Sequence, residues 1–166
     1  RTAFEKQVPI MIDAEETWIQ DTIDELAFEM MRKFNREGII VYNTYQMYRH
    51  DKLADMKADH LIAKADGYIL GVKMVRGAYM EKERKRAEEM GYVSPIQPDK
   101  ISTDRDYDES LRYCVDHIEE IAIVAGTHNE DSSRLLTYLL EEKKVLHNHP
   151  HVYFAQLLGM SDNLSF

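Results

Sequence analysis

Short apolar runs alternate along the chain with longer stretches in which apolar residues recur at helical spacing. Val8-Pro9-Ile10-Met11-Ile12 reads as a buried strand, followed by an amphipathic helix from about Thr17 to Phe34. Gly38 closes that helix and leads into a second strand, Ile39-Ile40-Val41-Tyr42. The pattern then predicts a helix over roughly Asp51 to Asp66, a third strand from Tyr68 to Val75, and a charged segment from Glu81 to Met90. A Pro-bearing loop separates this from a helix starting at about Tyr107 and running to Glu120. Ile121 to Ala125 and Val152 to Ala155 are the last two strands, with a helix from Ser132 to Lys144 between them. The apolar runs are rich in β-branched residues, bounded by Gly or turn residues, and separated by helices. That is the pattern of repeated βα units around a parallel sheet. Strand starts recur about every 30 residues, with one interval near 50 that holds the extra loop from Gly91 to Ser102.

Each apolar run finishes in polar residues: Asp13, Asn43, Lys73 with Arg76, Thr127-His128-Asn129, and Gln156. Parallel sheets place their sites at the carboxyl ends of their strands, so these positions are expected to converge on one mouth. Helix capping would account for one or two such groups, not for all five. No G-x-G-x-x-G or Walker-type loop follows any strand, which favours a barrel over a doubly wound sheet.

Composition narrows the function classes. Hydrophobic residues make up 44% of the chain and charged residues 31%, as in an ordinary globular domain. The net charge of −9 argues against nucleic acid as a partner, because phosphate binding needs Lys and Arg in clustered excess. The single cysteine, Cys114, has no internal partner for a disulfide, which fits a reducing compartment and argues against secretion. No apolar stretch approaches the roughly 20 residues of a membrane span. At 166 residues the chain is short for a complete (β/α)₈ barrel, which takes about 250. It begins at Arg1 and stops after Asn163-Leu164-Ser165-Phe166 with no cap or turn signal, so an incomplete barrel is expected.

Four segments could carry chemistry. In Asp13-Ala14-Glu15-Glu16 the simplest role is capping of the next helix by Asp13, with the glutamates at its positive end. In Lys73-Met74-Val75-Arg76-Gly77-Ala78-Tyr79, two cations end a strand and Gly-Ala then permits close backbone approach of an anionic or planar ligand. The alternative there is a solvated pair at a rim. Thr127-His128-Asn129 sets a hydroxyl, an imidazole and an amide side by side, fit for phosphates or ring edges, or else for an N-cap. His147-Asn148-His149-Pro150-His151 has a metal-like composition, but it precedes the fifth strand and so belongs to the face opposite the mouth; no metal role is assigned to it.

Taken in order, Ile12-Asp13-Ala14-Glu15, Tyr42-Asn43-Thr44-Tyr45-Gln46, the Lys73–Tyr79 segment, Thr127-His128-Asn129-Glu130-Asp131 and Phe154-Ala155-Gln156-Leu157-Leu158-Gly159-Met160 closely resemble the proline dehydrogenase family, nearest its monofunctional, mitochondrial-like branch. The resemblance implies a (β/α)₈ TIM-type barrel binding FAD at its mouth, with this chain supplying strands three to seven. It implies oxidation of L-proline to Δ1-pyrroline-5-carboxylate, with electrons passed to a quinone at a membrane surface. The compartment would be mitochondrial, or the bacterial cytoplasm beside the inner membrane. By motif, Asp13, Lys73 and Tyr79 would be catalytic, with Asp13, Met74 and Tyr79 at the substrate. Lys73 stands where many bacterial members carry an arginine near flavin N5, and Arg76 replaces their lysine. Ala14, Asn43, Val75, Gly77 and Ala78 would line the cofactor. Thr103, Thr127, His128 and Asn129 would hold its ribityl, phosphate or adenine portions, and Gln156 would reach the mouth from strand seven. The family's strand-one acid, strand-two lysine, strand-eight tyrosine and the paired arginines that grip the proline carboxylate have no counterpart here.

Three other readings remain at this point. One is a hydroxyproline dehydrogenase of the same family, and another is a non-catalytic binding module derived from a barrel. The third, a metal-dependent barrel hydrolase, would need several His and carboxylate ligands at the strand ends, where only His128 is so placed.

Overall fold

The computed structural model describes residues 1–160, so the run from Asn163 to Phe166 lies outside the described residues. Five strands, β1 (Ile10–Ile12), β2 (Val41–Gln46), β3 (Leu70–Val75), β4 (Ile121–Gly126) and β5 (Val152–Ala155), form one sheet in sequence order with every neighbour parallel. The helices are α1 (Thr2–Lys6), α2 (Thr17–Phe34), α3 (Lys52–Asp66), α4 (Met80–Met90), α5 (Lys100–Asp116) and α6 (Glu130–Glu142). Unbroken sequence order with a helix in each crossover is the winding of a (β/α) barrel, and the sheet curls as half of one.

Alternation along the strands separates two environments. Val41, Tyr45, Leu70, Val72, Met74, Ile121, Ile123 and Ala125 point outward and pack with Met31, Met56, Tyr107, Leu111 and Leu136 of the helix layer, forming the main core. The inward set is smaller: Tyr42, Ala122 and Val124 cluster with Ile39, Ile69 and Ala155. Gly71 lies on this inner side beside β2. A Cβ there would sit 2.1 Å from the Val41 carbonyl oxygen, so only glycine admits that backbone approach.

Three expected boundaries move, each for a physical reason. β1 is a three-residue edge rather than a buried strand, and Val8, Ile10 and Met11 are exposed because one side of the strand has no neighbour. β2 runs on to Gln46, its polar residues Asn43, Thr44 and Gln46 all buried and paired into the ladder. α5 starts at Lys100, seven residues before the expected Tyr107, with Asp99 as its N-cap accepting from the Ser102 N–H at 2.7 Å. Its first two turns pack through polar groups: Gln97 donates to Asp106, and Arg76 to Asp104. They therefore carry no apolar period to read.

The lower end of the sheet is closed by one side chain. The Asn35 amide, fully buried, donates to the carbonyls of Val41 (2.8 Å) and Ile69 (3.1 Å) and accepts from the N–H groups of Ile40 (3.0 Å) and Val41 (2.9 Å). It joins the end of α2 to the starts of β2 and β3.

Candidate functional site

At the carboxyl ends of the strands lies a cavity of about 770 Å³, and four of the five expected strand-end groups line it: Asp13, Lys73 with Arg76, Thr127-His128-Asn129, and Gln156. The fifth, Asn43, does not. Because β2 extends to Gln46, Asn43 falls on the helix-facing side, where its amide donates to Asp24 of α2 at 2.7 Å. Its neighbours of opposite parity, Thr44 and Gln46, face the cavity in its place. The clue in the sequence was two polar residues spaced two apart after an apolar run.

Alternation also turns Met74 away from the cavity. It is fully buried in the outer core between Lys73 and Val75, both of which line the cavity. Thr103 is likewise away from the cavity, in the first turn of α5, its hydroxyl donating to the Asp99 carbonyl at 3.3 Å; Lys100, one turn earlier, reaches the cavity instead.

The Asp13 carboxylate is ion-paired with Lys73, across from β1 to β3. Asp13 does not cap α2: the N-cap position is Glu16, whose own side chain makes no capping bond. The loop carrying Asp13 and Ala14 is tied to its neighbours. Gln46 donates to the Glu15 carbonyl (2.8 Å) and accepts from the Ala78 N–H (3.4 Å), and the Tyr79 hydroxyl donates to the Glu15 carboxylate (2.8 Å). That bond to a carboxylate, helped by partial burial, pushes the Tyr79 phenol above its ordinary pKa, so it remains a hydrogen-bond donor.

Arg76 is held on all sides. It donates to Asp104 (2.7 Å), Thr127 (2.8 Å) and Ser132 (3.0 Å), and its guanidinium lies 4.3 Å from the centroid of the buried Tyr107 ring. Burial alone would raise the Asp104 pKa, but hydrogen bonds from Lys100 and Arg76 outweigh it and hold the carboxyl below its usual value. The guanidinium is thus a fixed positive wall joining β3, α5 and the start of α6. Asn129 caps α6, accepting from the Ser132 N–H at 3.1 Å, and its own N–H donates to Thr127. The capping role and a place in the cavity wall therefore coexist at Asn129.

Between these groups the wall is backbone and small side chains: Gly77, Ala78, Gly126 and Val75. Gly77 has φ 127°, and a Cβ there would approach the Tyr48 ring to 2.5 Å, so the turn after Arg76 requires glycine. His128 lines the same wall with its Nδ1 buried and without a partner among the described residues. A buried imidazole nitrogen left unpaired costs free energy that a bound polar ligand would recover. Across the molecule, His151 precedes β5 and hydrogen-bonds the Ile118 carbonyl at 2.7 Å, and no group of three possible metal ligands gathers among the described residues.

A cavity of this size, walled by fixed cations, small residues and oriented polar groups, suits a large, flat, anionic cofactor beside a small substrate. Comparison with known proteins identifies relatives of the chain. The family model described as proline dehydrogenase matches residues 1–166. The chain is 41% identical to mitochondrial proline dehydrogenase 1 of Homo sapiens over 170 residues, covering 100% of this chain and 28% of that protein. It is 35% identical to the hydroxyproline dehydrogenase of Xenopus laevis, covering 98% of this chain and 36% of that protein. The fold matches the crystal structure of proline utilization A from Bdellovibrio bacteriovorus inactivated by N-propargylglycine, with a TM-score of 0.88 at 23% identity, over 96% of this chain and 17% of that one. No helix among the described residues is long and apolar enough to cross a membrane.

Proposed function

Because the chain belongs to the proline dehydrogenase family, we propose that it supplies strands three to seven of a (β/α)₈ barrel that binds FAD at its mouth and oxidises L-proline. The observation that carries this reading is a shared cavity at the strand ends, lined by Asp13 with Lys73, Tyr79, the fixed Arg76 and His128, whose Nδ1 has no partner among the described residues. The residues fit the cofactor: Lys73, Val75, Gly77 and Ala78 would border the flavin ring, while Arg76, Thr127, His128, Asn129 and Gln156 would hold its polar remainder, with Ala14 behind Asp13.

When bound, the flavin would supply the acceptor for the hydride from C5 of proline, and with a proton lost from the ring nitrogen to solvent the product would be Δ1-pyrroline-5-carboxylate. The chain itself orients and polarises. Lys73 places a positive charge where negative charge develops, and its pairing with Asp13 keeps both groups fixed before substrate arrives. Tyr79, held by Glu15, presents its ring to the substrate and narrows the mouth against water. Electrons leave to a quinone at a membrane surface. The compartment is mitochondrial, as the human relative's name suggests, or the bacterial cytoplasm beside the inner membrane.

The resemblance to a hydroxyproline dehydrogenase favours one second reading, with the hydroxylated ring as substrate. Purified full-length protein carrying this chain is expected to be yellow, or to become so with added FAD, and to reduce a dye faster with proline than with hydroxyproline. A folded, colourless protein that takes up no FAD overturns the proposal, and the reverse substrate order favours the second reading.

A further inference from the structure

α2 begins without a cap of its own, and the group that replaces it comes from a different helix. Glu83, in the first turn of α4, has no exposed surface. One of its carboxylate oxygens accepts from the Thr17 N–H at 2.7 Å and the other from the Thr17 hydroxyl at 2.8 Å. A buried carboxylate needs such compensation, and the positive end of an 18-residue helix provides it. The contact belongs to a row joining α4 to the β1–α2 loop: Tyr79 donates to Glu15, Lys82 pairs with Glu16, Glu83 holds Thr17, and the Arg86 guanidinium lies 4.3 Å from the centroid of the Trp18 ring. Four successive loop and helix residues thus meet α4 and the residue before it. Of these contacts only Glu83–Thr17 is fully buried on the carboxylate side, so it sets the register for the rest.

We propose that Glu83 is a positioning residue, which caps α2 from α4 and thereby holds Asp13 and Tyr79 at the mouth. The proposal rests on the oxidation assigned above, with Asp13 and Tyr79 at the substrate. Release of the anchor loosens the loop from Asp13 to Glu16, whose remaining side-chain ties are the Gln46, Gln20 and Tyr79 bonds to Glu15, the Lys82 pair with Glu16 and the exposed Lys73 pair with Asp13.

The test uses full-length protein carrying three variants. Glu83→Gln keeps both hydrogen bonds if the Thr17 hydroxyl turns to accept, and is expected to stay within about threefold of the original kcat/KM. Glu83→Ala is expected to lose at least about tenfold in kcat/KM for proline, mainly through KM, because misplacement near the reacting centre costs on this scale. Glu83→Ala with Glu16→Ser restores a local cap for α2, so it should regain thermal stability without regaining KM. Amide exchange of the peptide spanning 13–17 should quicken in both alanine variants. If KM returns together with the melting temperature, or if exchange there is unchanged, the positioning role is wrong. Should the full-length protein fail to turn over proline at all, the oxidation is contradicted, while the exchange data still decide whether Glu83 anchors the loop.

Discussion

Lys73 and Asp13 are partners 60 residues apart in sequence, meeting across β2 from β3 and the end of β1, and their pairing shapes the charge of the mouth. Three lysine or arginine side chains line the cavity: Lys73 pairs with Asp13, and Arg76 and Lys100 share Asp104. Arg76 is fixed by three hydrogen bonds as a rigid wall, whereas Lys73 has the single exposed Asp13 as its ion-pair partner and is the cation freer to turn toward a reacting ring. Replacing it with methionine in the full-length protein is expected to lower turnover at least about tenfold, since one preorganised charge is typically worth a few kcal/mol. Stopped-flow reduction by proline measures this, and an unchanged rate would return Lys73 to the role of a rim residue. The placing of Asp13, Lys73, Arg76, Thr127, His128 and Asn129 on the cavity wall was legible in the sequence, because each follows its apolar run directly. Asn43 and Met74, by strand parity, do not line the cavity. Where a strand continues through polar residues, adjacent positions point to opposite faces, and composition alone does not tell which face is the mouth.

Among the elements, α2 was readable from end to end because its apolar stripe packs on the sheet throughout, whereas α5 was not, because its first two turns dock through Asp104 and Asp106. The cap of α2 was equally hidden, since it lies 66 residues away in Glu83. Asn35 is the corresponding long-range tie at the foot of the sheet. Its replacement by alanine would leave two N–H groups and two carbonyls of the strand starts without that partner. At about 1–3 kcal/mol for each buried group left unsatisfied, a loss of at least about 3 kcal/mol is expected even if some groups find other partners. Urea unfolding of full-length protein reads this as a lower midpoint at unchanged slope, and a loss below about 1 kcal/mol would show that Asn35 is not the tie described.

For the whole molecule, the half-barrel leaves an apolar margin at each side of the sheet. Ile10 and Met11 on β1, and Tyr153 and Phe154 on β5, are exposed where a closed barrel would bury them against further strands. The chain spans 28% of the human relative's length, which leaves room for those strands in a longer protein. Three cavity cations face two paired carboxylates, since Arg76 and Lys100 share Asp104, so the mouth keeps a net positive charge among these groups. The composition and the βα rhythm indicated this architecture, but the charge matching emerged only once side chains were placed. The most direct measurement of the central claim is an anaerobic titration of the full-length, FAD-loaded protein with L-proline, followed by flavin absorbance. Proline is expected to bleach the flavin stoichiometrically and saturably, with a weakened effect in the Lys73→Met variant. A folded, flavin-loaded protein whose absorbance proline leaves unchanged would contradict it.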